Sequence, residues 1–298
     1  MSPRRVVITG MGWVTPLGHD LESVWSRLLA GDNAVGPITK FDASTFATNF
    51  GAEVKNFDLA SVMGEAASNH GRAGEGFKFA LAAASMAWRQ AGLGDASGRL
   101  TAEVDLARMG VYMGSGEGPH DYENFFATSL DAWREADRAA DTVEWARLAM
   151  QRLTAEREIE QEPNVSISHI ARAFGCGGPA FNCMTACAAS TQASGEAYEI
   201  IKRGDADLMF AGGSHSMLHI LGMTGFIRLT AMSTRRDEME SASRPFDRTR
   251  DGFVMGEGAG VLVLEELEHA LARGATPLAE VAGYGSTADA FRITDIQP

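Results

Sequence analysis

Between Gly178 and Gly213 the chain reads "GPAFNCMTACAASTQASGEAYEIIKRGDADLMFAGG", and this stretch limits the fold more than any other. Gly178–Met184 reads as a short buried strand. Ser190–Gly204 carries apolar residues at helical spacing and closes on glycine, and Ala206–Gly213 is a second strand. The alternation recurs elsewhere. Phe77–Leu93 is an alanine-rich helix apolar enough to be buried, and Arg108–Gly118 is a strand running into a glycine-rich loop. Asp251–Gly274 gives a glycine-rich turn, a strand at Gly260–Glu265 and a helix. Strands alternating with helices predict an α/β architecture.

The join between the first strand and its helix carries the chemistry. "CMTACAAS" (Cys183–Ser190) places Cys187 on a strand-to-helix elbow. A thiol at a helix N-terminus feels unpaired N–H groups and the positive end of the dipole, which favour the thiolate. Ala186, Ala188 and Ala189 leave room for a substrate, and the same N–H groups suit a developing oxyanion, as acyl transfer requires. The competing reading is packing, because cysteine is among the most buried residue types. The elbow alone leaves both open.

Cys183 is expected to point into the core. Cys176, Cys183 and Cys187 lack paired CxxC spacing and have no histidine among them, which argues against zinc. A nucleophilic cysteine needs a base or an electrostatic partner. Of His19, His70, His120, His169, His215, His219 and His269, none stands in a catalytic motif. His215 and His219 follow the Gly212–Gly213 turn and can reach Cys187, whereas His269 reads as a solvated helix face.

The remaining features bound the answer. "RRVVITGMGWVTPLG" opens with a strand at Val6–Thr9 and then a glycine turn. A dinucleotide fingerprint starting at Gly10 fails, because its third glycine falls at Thr15 and Pro16 stands where the helix should begin. Leu21–Gly31 reads as a short amphipathic helix. Residues 131–162 are charged and helical, with Trp133, Val143, Trp145, Leu148 and Leu153 as candidate face residues, and read as solvated surface or an oligomer contact. A formal charge of -13 argues against nucleic acid as the main partner. No apolar run approaches bilayer length, the start lacks signal-peptide features, and three cysteines give no disulfide framework. A cytoplasmic protein with no membrane association is expected.

Taken in order, "VVITGMGWVTPLG", "GSGEG", "TACAAS", "GDADLMFAGG", "SRPFDRTRDGFVMGEGAGVLVLEELEHALARGA" and "TADAFRIT" resemble the β-ketoacyl-acyl carrier protein synthases, closest to the elongating synthase II type. The resemblance covers Val6 to about Thr294. It implies a thiolase-like α/β fold, two similar halves in a five-layer αβαβα core, and a homodimer. Residues 1–270 would be the first, condensing-enzyme half and 271–298 the start of the second. It implies that Cys187 takes an acyl chain from acyl carrier protein and passes it to the carbanion of decarboxylated malonyl-carrier protein. The pathway is fatty acid or polyketide elongation. Phe226, in "TGFIRLTAMS", matches a position lining the acyl pocket, and Thr294 one near the phosphopantetheine arm. No metal or cofactor is implied beyond that carrier-bound phosphopantetheine.

Three departures stand out. Glu117 follows "GSG" where the family often has a hydrophobic residue, and a carboxylate beside an acyl chain is costly to bury. Gly64–Gly76 replaces a basic carrier-protein docking segment and keeps only His70 and Arg72. The two decarboxylating histidines belong to HGTxT and KxxxGH motifs not present before Pro298, so the chain is expected to be C-terminally truncated and not to turn over alone. Two other readings stay open. A non-catalytic, chain-length-factor-like partner usually lacks the cysteine, and a thiolase shares the elbow but not "RPFDRTRDGF".

Overall fold

The computed structural model describes residues 4–116, 118, 121–291 and 297. Glu117 and Thr294, both candidate substrate-binding residues, lie outside the described residues. The first strand, β1 (Val6–Val14), corrects an expectation, because the glycine turn after Thr9 is instead its second half. A Cβ on Gly12 would lie 2.1 Å from the Ala83 carbonyl oxygen, and one on Gly10 equally close to that of Ala87. These glycines serve close approach of a helix to the strand.

Helix α1 (Leu21–Ala30) starts where the Asp20 carboxylate accepts from the Ser23 N–H, and it ends on Gly31 at φ +74°. A small hairpin, β2 (Gly36–Pro37) and β3 (Phe50–Gly51), leads to α2 (Leu59–Met63) and a 3-10 turn at Gly64–His70. The alanine-rich α3 (Glu75–Gln90) is mostly buried and crosses β1. After β4 (Met109–Ser115) the surface excursion comprises α4 (Tyr122–Asp131), the hairpin β5 (Trp133–Arg134) and β6 (Ala139–Ala140), α5 (Thr142–Arg152) and α6 (Ala155–Ile159). Its expected single helical face is therefore interrupted. Leu148 is buried, but Val143 and Trp133 are 79% and 48% exposed. The chain continues through α7 (Val165–Phe174), β7 (Ala180–Cys183), α8 (Ala189–Arg203), β8 (Leu208–His215) and α9 (Ile220–Arg228). It ends with β9 (Gly258–Glu266), α10 (Leu267–Ala272) and β10 (Ala279–Glu280).

Six strands form one mixed sheet in the order β10-β1-β9-β8-β4-β7, parallel at β7/β4 and β4/β8 and antiparallel elsewhere. Alternation along β8 and β9 sends side chains to opposite faces. Phe210 and Val263 join Phe79, Trp88 and Phe174 of α3 and α7 in one core. Met209, Ala211 and Leu264 join Ala197 and Ile201 of α8 in the other. Three layers, α/β/α, result, out of the five that the resemblance implies. β7, expected as a buried strand, is an edge strand with Phe181 49% exposed. β10 extends the same sheet through Val7 opposite Glu280.

Glu265, fully buried on β9, corrects the reading of His269. That ring is not on a solvated face, because its Nδ1 lies 2.6 Å from Glu265 Oε1. Arg273 donates from Nε at 2.6 Å and from Nη2 at 2.7 Å, and Thr9 Oγ1 donates at 2.9 Å. Burial would raise the Glu265 carboxyl, but the bonds from Arg273 and His269 outweigh it and hold the group below its ordinary 4.5. Arg108 holds Asp207 down at about 2 with help from Arg4, against burial. A depressed folded-state value means stability that is present above the ordinary value and lost as pH falls through the folded one. The midpoint of urea unfolding is predicted to fall steadily below pH 4.5. Glu265→Gln, leaving Arg273 buried opposite a neutral group, is predicted to cost about 3–5 kcal/mol at pH 7 and to flatten that acid slope. Gly12→Val is predicted to cost at least ~1–3 kcal/mol by forcing β1 off α3, read from the same titration.

Candidate active site

The register of three strands sets the site. Gly114 of β4 stands opposite Cys183 of β7 on one side and Gly213 of β8 on the other, so the strand ends are level. The chain leaves β7 at Cys183 and turns back over this edge into α8. A Cβ on Gly114 would lie 2.4 Å from the Ala189 carbonyl carbon and 2.5 Å from the Ser190 nitrogen. One on Gly213 would lie 2.7 Å from Ser190 Cβ. Only glycine at both positions lets the first turn of α8 rest on the strand ends.

Ala186–Ala188 form a 3-10 turn immediately before α8, and Ala186 has φ +51°, a left-handed conformation that residues with side chains seldom adopt. A residue held this way costs about 1–3 kcal/mol, and such residues cluster at functional sites. Neither the turn nor α8 has a side-chain cap, and Cys187 stands in the turn directly before Ala188, the N-cap of the helix. Cys187 is exposed, whereas Cys183 is buried with its Sγ 3.3 Å from Thr185 Oγ1. Cys176 packs against the main core, where burial pushes its thiol up to about 12. Three cysteines thus occupy three environments, and the elbow holds the accessible one.

Cys187 lines an open cavity of 790 Å³ together with Phe226 of α9, Met184, His215 and the loop Gly256–Gly260. Of the site residues expected from the sequence, the structure therefore brings Cys187 and Phe226 together. Phe226 is braced edge-on by Phe253, with ring centroids 5.7 Å apart. His215 shares the cavity, whereas the His219 ring lies 2.6 Å from the Tyr122 hydroxyl and accepts from the Gly222 N–H. His70 and His169 approach Nδ1 to Nδ1 at 2.9 Å, and His169 Nε2 lies 3.1 Å from Glu160. Burial first, and then His169, pushes His70 down to about 4. This pair ties α7 to the 3-10 turn before α3.

Two supports of the cavity have no local signal in the sequence. Glu257, its side chain fully buried, accepts from Lys40 Nζ at 2.7 Å, Ser216 Oγ at 2.5 Å and the Val54 N–H at 2.9 Å. Lys40 also reaches Glu75 at 2.5 Å. Burial would lower the Lys40 ammonium, but Glu257 and Glu75 outweigh it and hold it raised. Beneath the elbow, Asn182 Nδ2 donates to Ser115 Oγ at 2.6 Å, and Ser115 Oγ donates to the Pro163 carbonyl at 2.8 Å. Among the described residues, no three metal-ligating side chains converge, and no helix is long and apolar enough to cross a membrane.

Comparison with known proteins agrees with this geometry. The family model described as the β-ketoacyl synthase N-terminal domain matches residues 3–270. The chain is 38% identical over 300 residues to a 3-oxoacyl-[acyl-carrier-protein] synthase 2 from Coxiella burnetii, covering 100% of this chain and 66% of that protein. It is 39% identical over 295 residues to one from Vibrio harveyi, covering 99% and 65%. A crystal structure of a β-ketoacyl synthase from Burkholderia phymatum superposes with a TM-score of 0.82 at 34% identity, over 98% of this chain and 66% of that one. A type II polyketide ketosynthase, solved with its acyl-carrier protein and bound to a hexaketide, gives 0.78 at 30% identity, over 99% and 66%. The chain thus spans 65–66% of the length of these relatives. With its motifs in family order, its α/β/α layers and its elbow cysteine, the chain belongs to the β-ketoacyl synthase family.

Proposed function

We propose that this chain supplies the acyl-accepting part of a 3-oxoacyl-[acyl-carrier-protein] synthase, with Cys187 as nucleophile. The carrying observation is that Cys187, alone of the three cysteines, is exposed, and that it stands on a strained, uncapped elbow at the wall of a cavity. The Cys187 thiolate attacks the carbonyl of an acyl thioester on acyl carrier protein. The new carbon–sulfur bond forms as the pantetheine thiolate leaves and takes up a proton. Malonyl-carrier protein then loses carbon dioxide, and its α-carbon attacks the acyl-enzyme, releasing Cys187 and a chain two carbons longer. Phe226 packs along the acyl chain, Thr294 is assigned to substrate binding on resemblance, and Glu117 is assigned there by its place after "GSG", where it departs from the family's usual hydrophobic residue.

The reading assigns residues 1–270 to the first half and 271–298 to the start of the second, in a cytoplasmic homodimer whose partner is acyl carrier protein. The edge position of β7, with Phe181 exposed, supports pairing with a second copy. Within residues 1–298 the step assigned is acylation, which draws on Cys187 and its cavity. The exposed Cys187 weighs against the chain-length-factor-like reading.

Incubation with octanoyl-acyl carrier protein is predicted to add one octanoyl group, read by intact mass. Cys187→Ala is predicted to abolish the adduct and Cys183→Ala to retain it. An adduct that survives Cys187→Ala contradicts the assignment.

A further inference from the structure

Ser190 stands in the first turn of α8, exposed, and lines the Cys187 cavity. Its hydroxyl makes no hydrogen bond among the described residues. The helix does not need it. The N-cap of α8 is Ala188, and a side-chain oxygen satisfies the free N–H groups of a helix end from that position, not from two residues further in. Ser194, one turn on, bonds back to the Ser190 carbonyl at 2.9 Å, an outlet open to a serine inside a helix. Ser190 makes no such bond.

The backbone brings this hydroxyl to the thiol. Ala188 and Ala189 both have right-handed helical φ and ψ, so Cys187 and Ser190 are three apart on helical backbone. Residues so spaced share a face, with Cβ atoms about 5–6 Å apart. Side chains on a helix tilt toward its N-terminus, which here is toward Cys187. The seat of Ser190 is set from behind. A Cβ on Gly213 would lie 2.7 Å from Ser190 Cβ and 3.0 Å from its Oγ, so bare backbone at the end of β8 gives the side chain its place. The residues around Cys187, Ala186, Ala188 and Ala189, carry no side-chain donor.

We infer that Ser190 is a catalytic residue of the acylation step, its O–H donating a hydrogen bond to the carbonyl oxygen of the acyl group that Cys187 takes up. This rests on the reading of Cys187 as the acyl-accepting nucleophile. As the Cys187 thiolate forms the carbon–sulfur bond, a carbonyl electron pair moves onto oxygen. The Ser190 hydroxyl stabilises that charge and keeps its own proton. The carbonyl then re-forms, and the pantetheine thiolate leaves and takes a proton from water.

The test compares Ser190→Ala with the unsubstituted chain. Octanoyl-N-acetylcysteamine, followed by intact mass, is expected to acylate Cys187 about tenfold more slowly in the variant. The loss is smaller than the ~10²–10³ that follows removal of a shielded oxyanion donor, because Ser190 is open to solvent. Iodoacetamide alkylation attacks a saturated carbon and develops no oxyanion, so its rate is expected to be unchanged. In the octanoyl-enzyme carrying an isotope-labelled carbonyl, the infrared band of that carbonyl is expected to move to higher frequency in Ser190→Ala, as a lost donor requires. A band that does not move overturns the inference, and so does acylation slowed only to the same degree as alkylation. An adduct on Cys187 that forms equally fast in the variant overturns the inference alone. Absence of any Cys187 adduct in the unsubstituted chain overturns the nucleophile and the inference together.

Discussion

With no Cβ on Gly114 or Gly213, the first turn of α8 settles directly on the ends of β4 and β8, and the geometry of the site follows from that contact. Two atoms fewer on the sheet bring the helix close enough that the three residues between Cys183 and Cys187 must make a tight reversal, at the cost of a left-handed Ala186. The strain is local, and the packing that resists it is extensive. Ala193, Ala197 and Ile201 of α8 are fully buried against the sheet, so the helix cannot retreat to relax the turn. Fixing the helix thus fixes the thiol at its N-terminal end.

The opposite wall of the cavity is held by charge. Gly256–Gly260 is glycine-rich and would be mobile on its own, yet Glu257 within it bonds to Lys40, Ser216 and the backbone of Val54. Its contacts are distant in sequence, so the clamp draws the β9 loop, the segment around residue 40 and the end of β8 into one unit. Buried ion pairs add little net stability against an apolar alternative, but they are costly to break singly. Here they give a cavity wall of defined position beside the reactive thiol.

Much of this was legible in the sequence. The strand and helix flanking "TACAAS", the buried alanine-rich helix and the glycine-terminated ends of α1 and α8 come from patterns a few residues long, which local physics sets. Gly10 and Gly12 suggest a turn because a glycine needed for close helix approach looks, in sequence, like one needed for a turn. The apolar composition of "GPAFNCM" predicts a buried strand, yet whether a strand lies at an edge depends on the order of the whole sheet. His269, Glu257 and Ser115 escaped for a related reason: their roles are set by partners brought up from elsewhere in the chain or by burial, which periodicity does not report. The elbow makes Cys187 a candidate in the sequence and sets Cys183 in the core, as the structure has it, while telling Cys187 from Cys176 needs the burial of that third thiol.

The central claim is that the glycine contact under α8 makes Cys187 reactive, and the alkylation rate of that thiol by iodoacetamide tests it most directly. In Gly114→Ala the added Cβ would start 2.4 Å from Ala189 and must displace the helix end. The account predicts that the variant keeps its far-ultraviolet circular dichroism while Cys187 alkylation slows by about tenfold, since displacing the helix end moves the exposed thiol out of its place at the cavity wall. A folded Gly114→Ala chain that alkylates at the wild-type rate would contradict the account.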